Sequence, residues 1–138
     1  MPGGTLTGWA LSTLAGAAEH TYVVSSEGHV WPCWGRSAGG HSVCSGVGDV
    51  AQADCLSQVN SEAGIVYGRT GVCHQTANRI LLPAAMVVSS AHGARASILA
   101  FGVYGREPGS RRHYHPVLNP WPELVKCLGE HRHDGEDL

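Results

Sequence analysis

The segment from Tyr67 to Pro83 limits the fold most, because it carries a turn, a helix and a helix stop in direct succession. Gly68 and Gly71 bracket the turn, and the following CHQTANRILL has apolar and polar positions at helical spacing. Pro83 has no backbone N–H to continue a helix, so the pattern stops there. The sequence therefore predicts a helix over residues 73–82 that begins at Cys73.

The residues before this helix predict three further structures. Residues 6–18 carry apolar side chains at steps of three and four, which predicts a short amphipathic helix that ends by Glu19. Residues 20–33 place β-branched and aromatic residues on both sides of the turn SSEG, which predicts a hairpin. Residues 35–48 are rich in glycine and have no period, so we expect a loop, followed by a short helix over residues 49–60.

The residues after Pro83 predict two strands and one more helix. The strands are Ala85–Ser90 and Ser97–Tyr104, the helix covers residues 120–128, and residues 129–138 form a flexible tail. With 138 residues the chain has the length of a single domain. The sequence thus predicts an α+β fold: a small, mostly antiparallel sheet of about four to five strands, packed against a helix that carries Cys73 at its N-terminus.

Composition disfavours two classes of partner. Charged residues make up 14% of the chain, the formal net charge is −2, and the only adjacent Lys/Arg pair is Arg111-Arg112. Binding to a phosphate backbone needs a basic stripe, so we expect no nucleic-acid partner. The chain also lacks an apolar run of 18 residues, so we expect no membrane span. Nothing in the sequence sets the oligomeric state.

Five cysteines bear on the location of the protein. Their number is odd and no two form a CxxC pair, so a complete disulfide framework would leave one thiol over. No Lys or Arg precedes Arg36, so the positive region of a secretory signal is missing. These features predict reduced cysteines in a cytoplasmic protein.

Cys73 is the residue most suited to covalent chemistry. The unsatisfied N–H groups and positive dipole end of a helix start stabilise a thiolate. His20 opens the first strand of the predicted hairpin, where it can serve as general base. His29 on the neighbouring strand is a candidate to orient that imidazole, and Gln75 or Asn78 on the helix of Cys73 are alternatives. The backbone N–H groups of Cys73 and His74 can hold an oxyanion. The predicted reaction is acyl transfer through a Cys-His dyad.

A strand histidine followed by a helix-start cysteine resembles the circularly permuted papain-like superfamily, which includes NlpC-type amidases, lecithin:retinol acyltransferase-like proteins and PPPDE peptidases. The matching segments are HTYVVSSEGHVWPC and YGRTGVCHQTANRIL, about a fifth of the chain. The resemblance implies a cysteine hydrolase, amidase or thiol protease that acts on an amide, ester or thioester. It also implies that Cys73 is the nucleophile and His20 the base.

The residues around this dyad are expected to meet the substrate, a small molecule or a peptide. His74 is adjacent to Cys73 and points elsewhere on the helix, which predicts contact with solvent or a partner. Gln75 and Asn78 lie on the same helix, and Trp34 follows the hairpin. We assign these four residues to substrate binding.

Two other functions stay open at this stage. The dyad needs no cofactor, but a set of cysteines and histidines could form a zinc or copper site from distant loops: Cys33, His41, Cys44, Cys55, Cys73 and His74. A non-catalytic module would instead need the glycine-rich loop and Trp31, Trp34 and Trp121 to form an apolar pocket for a small molecule or peptide.

Overall fold

The computed structural model describes residues 4–13, 18–31, 39–58, 63–88 and 92–128. Its strands are β1 (Thr5–Thr13), β2 (Ala18–Ser25), β3 (Val30–Trp31) and β4 (His41–Val47). Its helices are α1 (Val50–Gln58), α2 (Cys73–Leu81), α3 (His92–Phe101) and α4 (residues 122–128), and a 3-10 turn covers Leu82–Ala84. The strands form one antiparallel sheet in the order β3-β2-β1-β4. The predicted α+β class, antiparallel sheet and helix start at Cys73 are confirmed.

The first element is a strand, so the helix predicted over residues 6–18 is wrong. β1 pairs with β2 in an unbroken register from Leu6 opposite Ser25 to Thr13 opposite Ala18. Leu6 and Ala10 are four residues apart, a spacing that fits one face of a helix and also one face of a strand. Pairing with β2 decides between the two, and both side chains are then fully buried.

The glycine-rich segment contains β4, so the loop predicted over residues 35–48 is wrong for residues 41–47. β4 pairs with the outer side of β1, and the register shifts between Gly8 and Trp9. Gly46 lies so close to another segment that a Cβ there would be 3.0 Å from the sulfur of Met86. A side chain at Gly46 would therefore force the Met86 side chain to shift, so glycine suits the close packing at this position.

The two strands predicted after Pro83 are also wrong. Residues 97–101 belong to α3, and residues 86–88 have no regular secondary structure and are not part of the sheet. Side chains of α2 bond the backbone of Val88: its N–H donates to Asn78 Oδ1 (2.7 Å), and its carbonyl accepts from Asn78 Nδ2 and from His74 Nε2. These bonds satisfy the backbone N–H and carbonyl of Val88 by side chains of α2.

Two apolar clusters hold these elements together. The first core fills the space between the sheet, α1 and α2, and its members are Leu6, Val23, Val50, Ala53, Ala63, Ala77, Ile80, Leu81 and Val88. The second core lies between α1 and α4 and contains Leu56, Trp121, Leu124 and Cys127. Both contain residues from α1, which therefore connects them.

A disulfide between Cys55 and Cys127 joins α1 to α4 beside the second core. The prediction of reduced cysteines is therefore wrong for this pair, since sequence spacing does not show that a terminal helix returns to α1. The predicted helix over residues 120–128 is confirmed at 122–128, and the predicted tail lies outside the described residues. Among the described residues, none forms a helix of the length and apolarity that a membrane crossing requires.

Candidate functional site

The start of α2 is fixed by the turn before it. Gly68 N–H donates to the Gly71 carbonyl (2.8 Å), and Val72 N–H donates to Gln75 Oε1 (2.9 Å). Gly71 has no room for a side chain, because a Cβ there would lie 2.9 Å from Gln75 Cβ and 3.0 Å from Ile65 Cδ1. The first N–H groups of an α-helix have no partner within the helix. Cys73 thus begins a helix whose entry is held by packing and hydrogen bonds.

Cys73 lies on the side of α2 that packs against the sheet. Steps of four residues align Cys73 with Ala77 and Leu81 along the helix. Ala77 and Leu81 belong to the first core, and Leu81 Cδ1 would be 3.2 Å from a Cβ on Gly8 in β1. Only 8% of Cys73 is exposed to solvent. The sulfur is therefore positioned at the boundary between the helix layer and the sheet.

His20 lies on the opposite face of the sheet from α2. Val23 belongs to the first core with the residues of α2, so it faces the helix layer. Side chains alternate along a strand, so His20 and Tyr22 face the other way. Their rings are stacked with centroids 6.1 Å apart, and Tyr22 also stacks on Trp9 at 6.2 Å. The β2 backbone thus separates the imidazole of His20 from the helix layer.

Within the described residues, β2 has no strand partner on its outer side beside His20. β3 pairs only with Val23 and Val24, and no other described strand flanks β2 on that side. His20 itself is buried, with 9% of its surface exposed. A contact between the Cys73 thiol and the His20 imidazole would have to pass around this edge, so the predicted dyad stays a prediction.

His29 is on the same side of the sheet as α2, but at the margin. It is exposed, and its ring is 5.5 Å from that of Trp31, which packs against the first core. His20 and His29 therefore lie on different sides of the hairpin. The structure does not bring the predicted base and its predicted orienting residue together.

His74 is buried, so the prediction that it meets solvent or a partner is wrong. Only 3% of it is exposed, and both ring nitrogens bond inside the protein. The Val88 carbonyl can only accept, so Nε2 donates to it, and Nδ1 shares a second hydrogen bond with the Ser97 hydroxyl (2.9 Å). These bonds tie α2 to α3 and direct this imidazole away from the role of base for its neighbour.

Three polar side chains of α2 bond three consecutive carbonyls that follow α3. Gln75 Nε2 donates to Gly102 O (3.0 Å), Asn78 Nδ2 to Val103 O (3.0 Å) and Arg79 Nε to Tyr104 O (2.8 Å). The predicted substrate contacts Gln75 and Asn78 are thus fully buried and bonded to the protein's own backbone. Their polar character alone did not reveal this role, because an exposed helix face has the same pattern.

Arg79 makes the largest number of contacts among these side chains, although its place in the sequence fits an exposed helix surface equally well. Its Nη1 also donates to Ala63 O (2.7 Å), and its guanidinium carbon lies 4.8 Å from the Trp121 ring centroid and 5.4 Å from that of Tyr114. Burial lowers the pKa of Arg79 to about 10, against the opposing influence of Glu123 and Tyr114. The side chain therefore stays charged at neutral pH inside a shell of carbonyls and aromatic rings.

The described residues do not support the two alternative sites, the metal site and the tryptophan-lined pocket. No set of three His, Cys, Asp or Glu residues able to hold a metal ion occurs among the described residues, and Cys55 is in the disulfide. Trp31 packs on the first core and Trp121 lies in the second, so they do not share a pocket. Trp34 and Cys33 lie outside the described residues.

The comparison with known proteins identified no similar protein. No model of a protein family matches the chain, and neither a curated protein nor a solved structure does. The resemblance to papain-like hydrolases therefore stays a prediction from the two sequence segments.

Proposed function

We propose that this protein is a cysteine-dependent hydrolase or acyltransferase that acts on an amide, ester or thioester of a small molecule or peptide. The observation that carries the proposal is the position of Cys73, the first residue of a buried helix on its sheet-facing side. The helix dipole and the backbone N–H groups at such a start stabilise both a thiolate and the oxyanion formed on attack.

The reaction proceeds through an acyl-enzyme. The Cys73 thiolate attacks the carbonyl carbon, an S–C bond forms, and the leaving group departs with a proton from the general acid. Water or a second nucleophile then attacks the thioester and releases the thiol. The chemistry needs no metal or organic cofactor.

Cys44 provides a comparison within the same chain. Its sulfur lies in β4, and burial raises the pKa of the Cys44 thiol, outweighing a hydrogen bond from Gly8 that lowers it. A raised pKa leaves little thiolate at neutral pH, so Cys44 should react slowly. Cys73 has the helix start that Cys44 lacks.

His20 is the base in this proposal, and the strand register sets a condition on that role. The imidazole has to reach the helix side of the sheet when substrate binds. Catalytic hydrogen bonds are often long before substrate arrives and tighten in the complex. Because β1 pairs with β2 as far as Ala18, the first residues of β2 would have to leave this pairing for the ring to reach the helix side.

The nucleophile is tested by alkylation at pH 7 with one equivalent of iodoacetamide, followed by peptide mapping and an assay with p-nitrophenyl acetate. We expect Cys73 to be labelled about tenfold faster than Cys44, with activity lost in proportion. Cys73→Ser should abolish turnover, and the matched variant Cys44→Ser should keep it. Equal labelling of both cysteines, or an active Cys73→Ser protein, would contradict the proposal.

The base is tested separately with His20→Ala and, as a matched control, the exposed His29→Ala. We expect His20→Ala to lower kcat by about 100-fold and to remove the acidic limb of the pH profile, with His29→Ala near the wild type. If both variants keep the wild-type profile, another group takes the proton and only the nucleophile assignment stands.

A further inference from the structure

The Cys55–Cys127 disulfide connects two segments that are 72 residues apart in the chain. The enclosed residues include α2 and α3, and therefore the helix that begins at Cys73. Cys127 is fully buried in the second core, whereas Cys55 is partly exposed beside it. The bond thus closes a large loop around the helix layer.

The disulfide holds an element that has little stability of its own. α4 spans residues 122–128, and an isolated helix of that length does not persist in water. The preceding Trp121 is fully buried, and its ring covers the guanidinium of Arg79. Loosening α4 would therefore bring water to a buried charge on α2.

From this arrangement we propose that the working protein is oxidised at Cys55 and Cys127 and acts in an oxidising compartment. Cytosolic thiol systems keep cysteines reduced, and stable structural disulfides are typical of secreted and extracytosolic proteins. The location differs from the cytoplasmic one that the sequence predicts. The inference stands independently of the proposed enzymatic function.

Formation of the bond requires a two-electron oxidant, and we propose that it is a disulfide, such as oxidised glutathione or an oxidised thiol oxidoreductase. The more exposed Cys55 thiolate attacks this disulfide, which forms a mixed disulfide and releases one thiol. Cys127 then displaces the second thiol and closes the protein disulfide. Two protein thiols lose two electrons and two protons, and the oxidant leaves as two thiols.

The location is tested in cells that express the chain from its own gene. Thiols are trapped with N-ethylmaleimide before lysis, and the full chain is digested without reductant. We expect a cross-linked peptide that contains Cys55 and Cys127, with neither residue alkylated. Alkylation of both residues in the trapped sample would overturn the inference, whatever the enzyme assays show.

The structural role is tested by thermal unfolding with and without dithiothreitol. Reduction should lower the Tm of the wild type by roughly 10 °C, because the unfolded chain regains the freedom of a large loop. The Cys55→Ala/Cys127→Ala variant should show no such response, and Cys44→Ala should respond like the wild type. A wild-type Tm that does not change on reduction would contradict the role of the disulfide, even if the double variant fails to fold.

Discussion

The two sides of α2 are held by different forces. On the sheet side, Ala77, Ile80 and Leu81 pack into the first core without a polar atom. On the other sides, polar side chains bond the backbone of the segments that surround the helix; they are His74, Gln75, Asn78 and Arg79. All nine residues of the helix are buried.

The comparison shows that the two sides of α2 contribute to stability in different ways. The apolar side gains stability from burial alone, and this gain is roughly proportional to area. The polar side satisfies backbone groups of Val88 and of the turn at residues 102–104. Each bond matters because its loss leaves a buried or part-buried carbonyl or N–H unpaired. The stability cost of a mutation should therefore depend on lost apolar area on the first side and on lost hydrogen bonds on the second.

Arg79→Ala should have the largest effect on stability. It removes two charge-assisted hydrogen bonds, leaves the carbonyls of Ala63 and Tyr104 unpaired and opens a cavity under Trp121. We expect the free energy of unfolding to fall by about 4 kcal/mol. Urea denaturation measures it, with the exposed Arg69→Ala as control at no more than about 0.5 kcal/mol. Similar losses in both variants would mean that Arg79 does not hold these segments.

Ile80→Ala should come next and tests the apolar side. The side chain is 99% buried in the first core, and its truncation loses transfer free energy and leaves a cavity. We expect a loss of about 3 kcal/mol in the free energy of unfolding, measured by the same denaturation. The control Leu99→Ala removes an exposed apolar side chain and should change little. A loss below about 1 kcal/mol at Ile80 would place the helix away from the sheet.

Gln75→Ala should cost about 1.5 kcal/mol in unfolding free energy, because it removes the acceptor for Val72 N–H and the donor to Gly102 O. Gln58→Ala, which removes an exposed bond to Asp54, is the matched control and should be near neutral. Amide hydrogen exchange at Val72 should accelerate in Gln75→Ala only. Unchanged exchange there would remove the capping role.

Thr76→Val should have the smallest effect and the opposite sign. The Thr76 hydroxyl is buried and has no hydrogen-bond partner, so valine keeps the shape and removes an unsatisfied group. We expect unfolding free energy to stay equal or rise by up to about 1 kcal/mol. Thr70→Val removes the acceptor for Val66 N–H and should cost about 1 kcal/mol. A clear loss at Thr76 would show that its hydroxyl is bonded in solution.

Local signals account for what the sequence predicted well. Gly71 and Pro83 set the limits of α2 by backbone chemistry, and the turn after Ser25 marks the hairpin. These features depend on a few neighbouring residues. The strand β4 and the helix α3 depend on distant partners instead, because apolar stretches such as SILAF fit a helix or a strand equally well.

The site was harder to predict, because one residue of register decides which face a side chain occupies. His20 and Tyr22 share one face of β2, and Thr21 and Val23 share the other. Both faces carry apolar or aromatic residues, so the sequence does not show which one meets the helix. For the same reason, the polar residues of α2 could not be recognised as buried before α3 was known to end beside them.

The central claim, that Cys73 forms an acyl-enzyme, is tested most directly by intact-protein mass spectrometry during turnover of p-nitrophenyl acetate at pH 7. The account predicts a single adduct of one acetyl group, mapped to Cys73, that forms in the wild type and in Cys44→Ser but not in Cys73→Ser. An adduct on Cys44, or turnover without any adduct on Cys73 under rapid quenching, would contradict it.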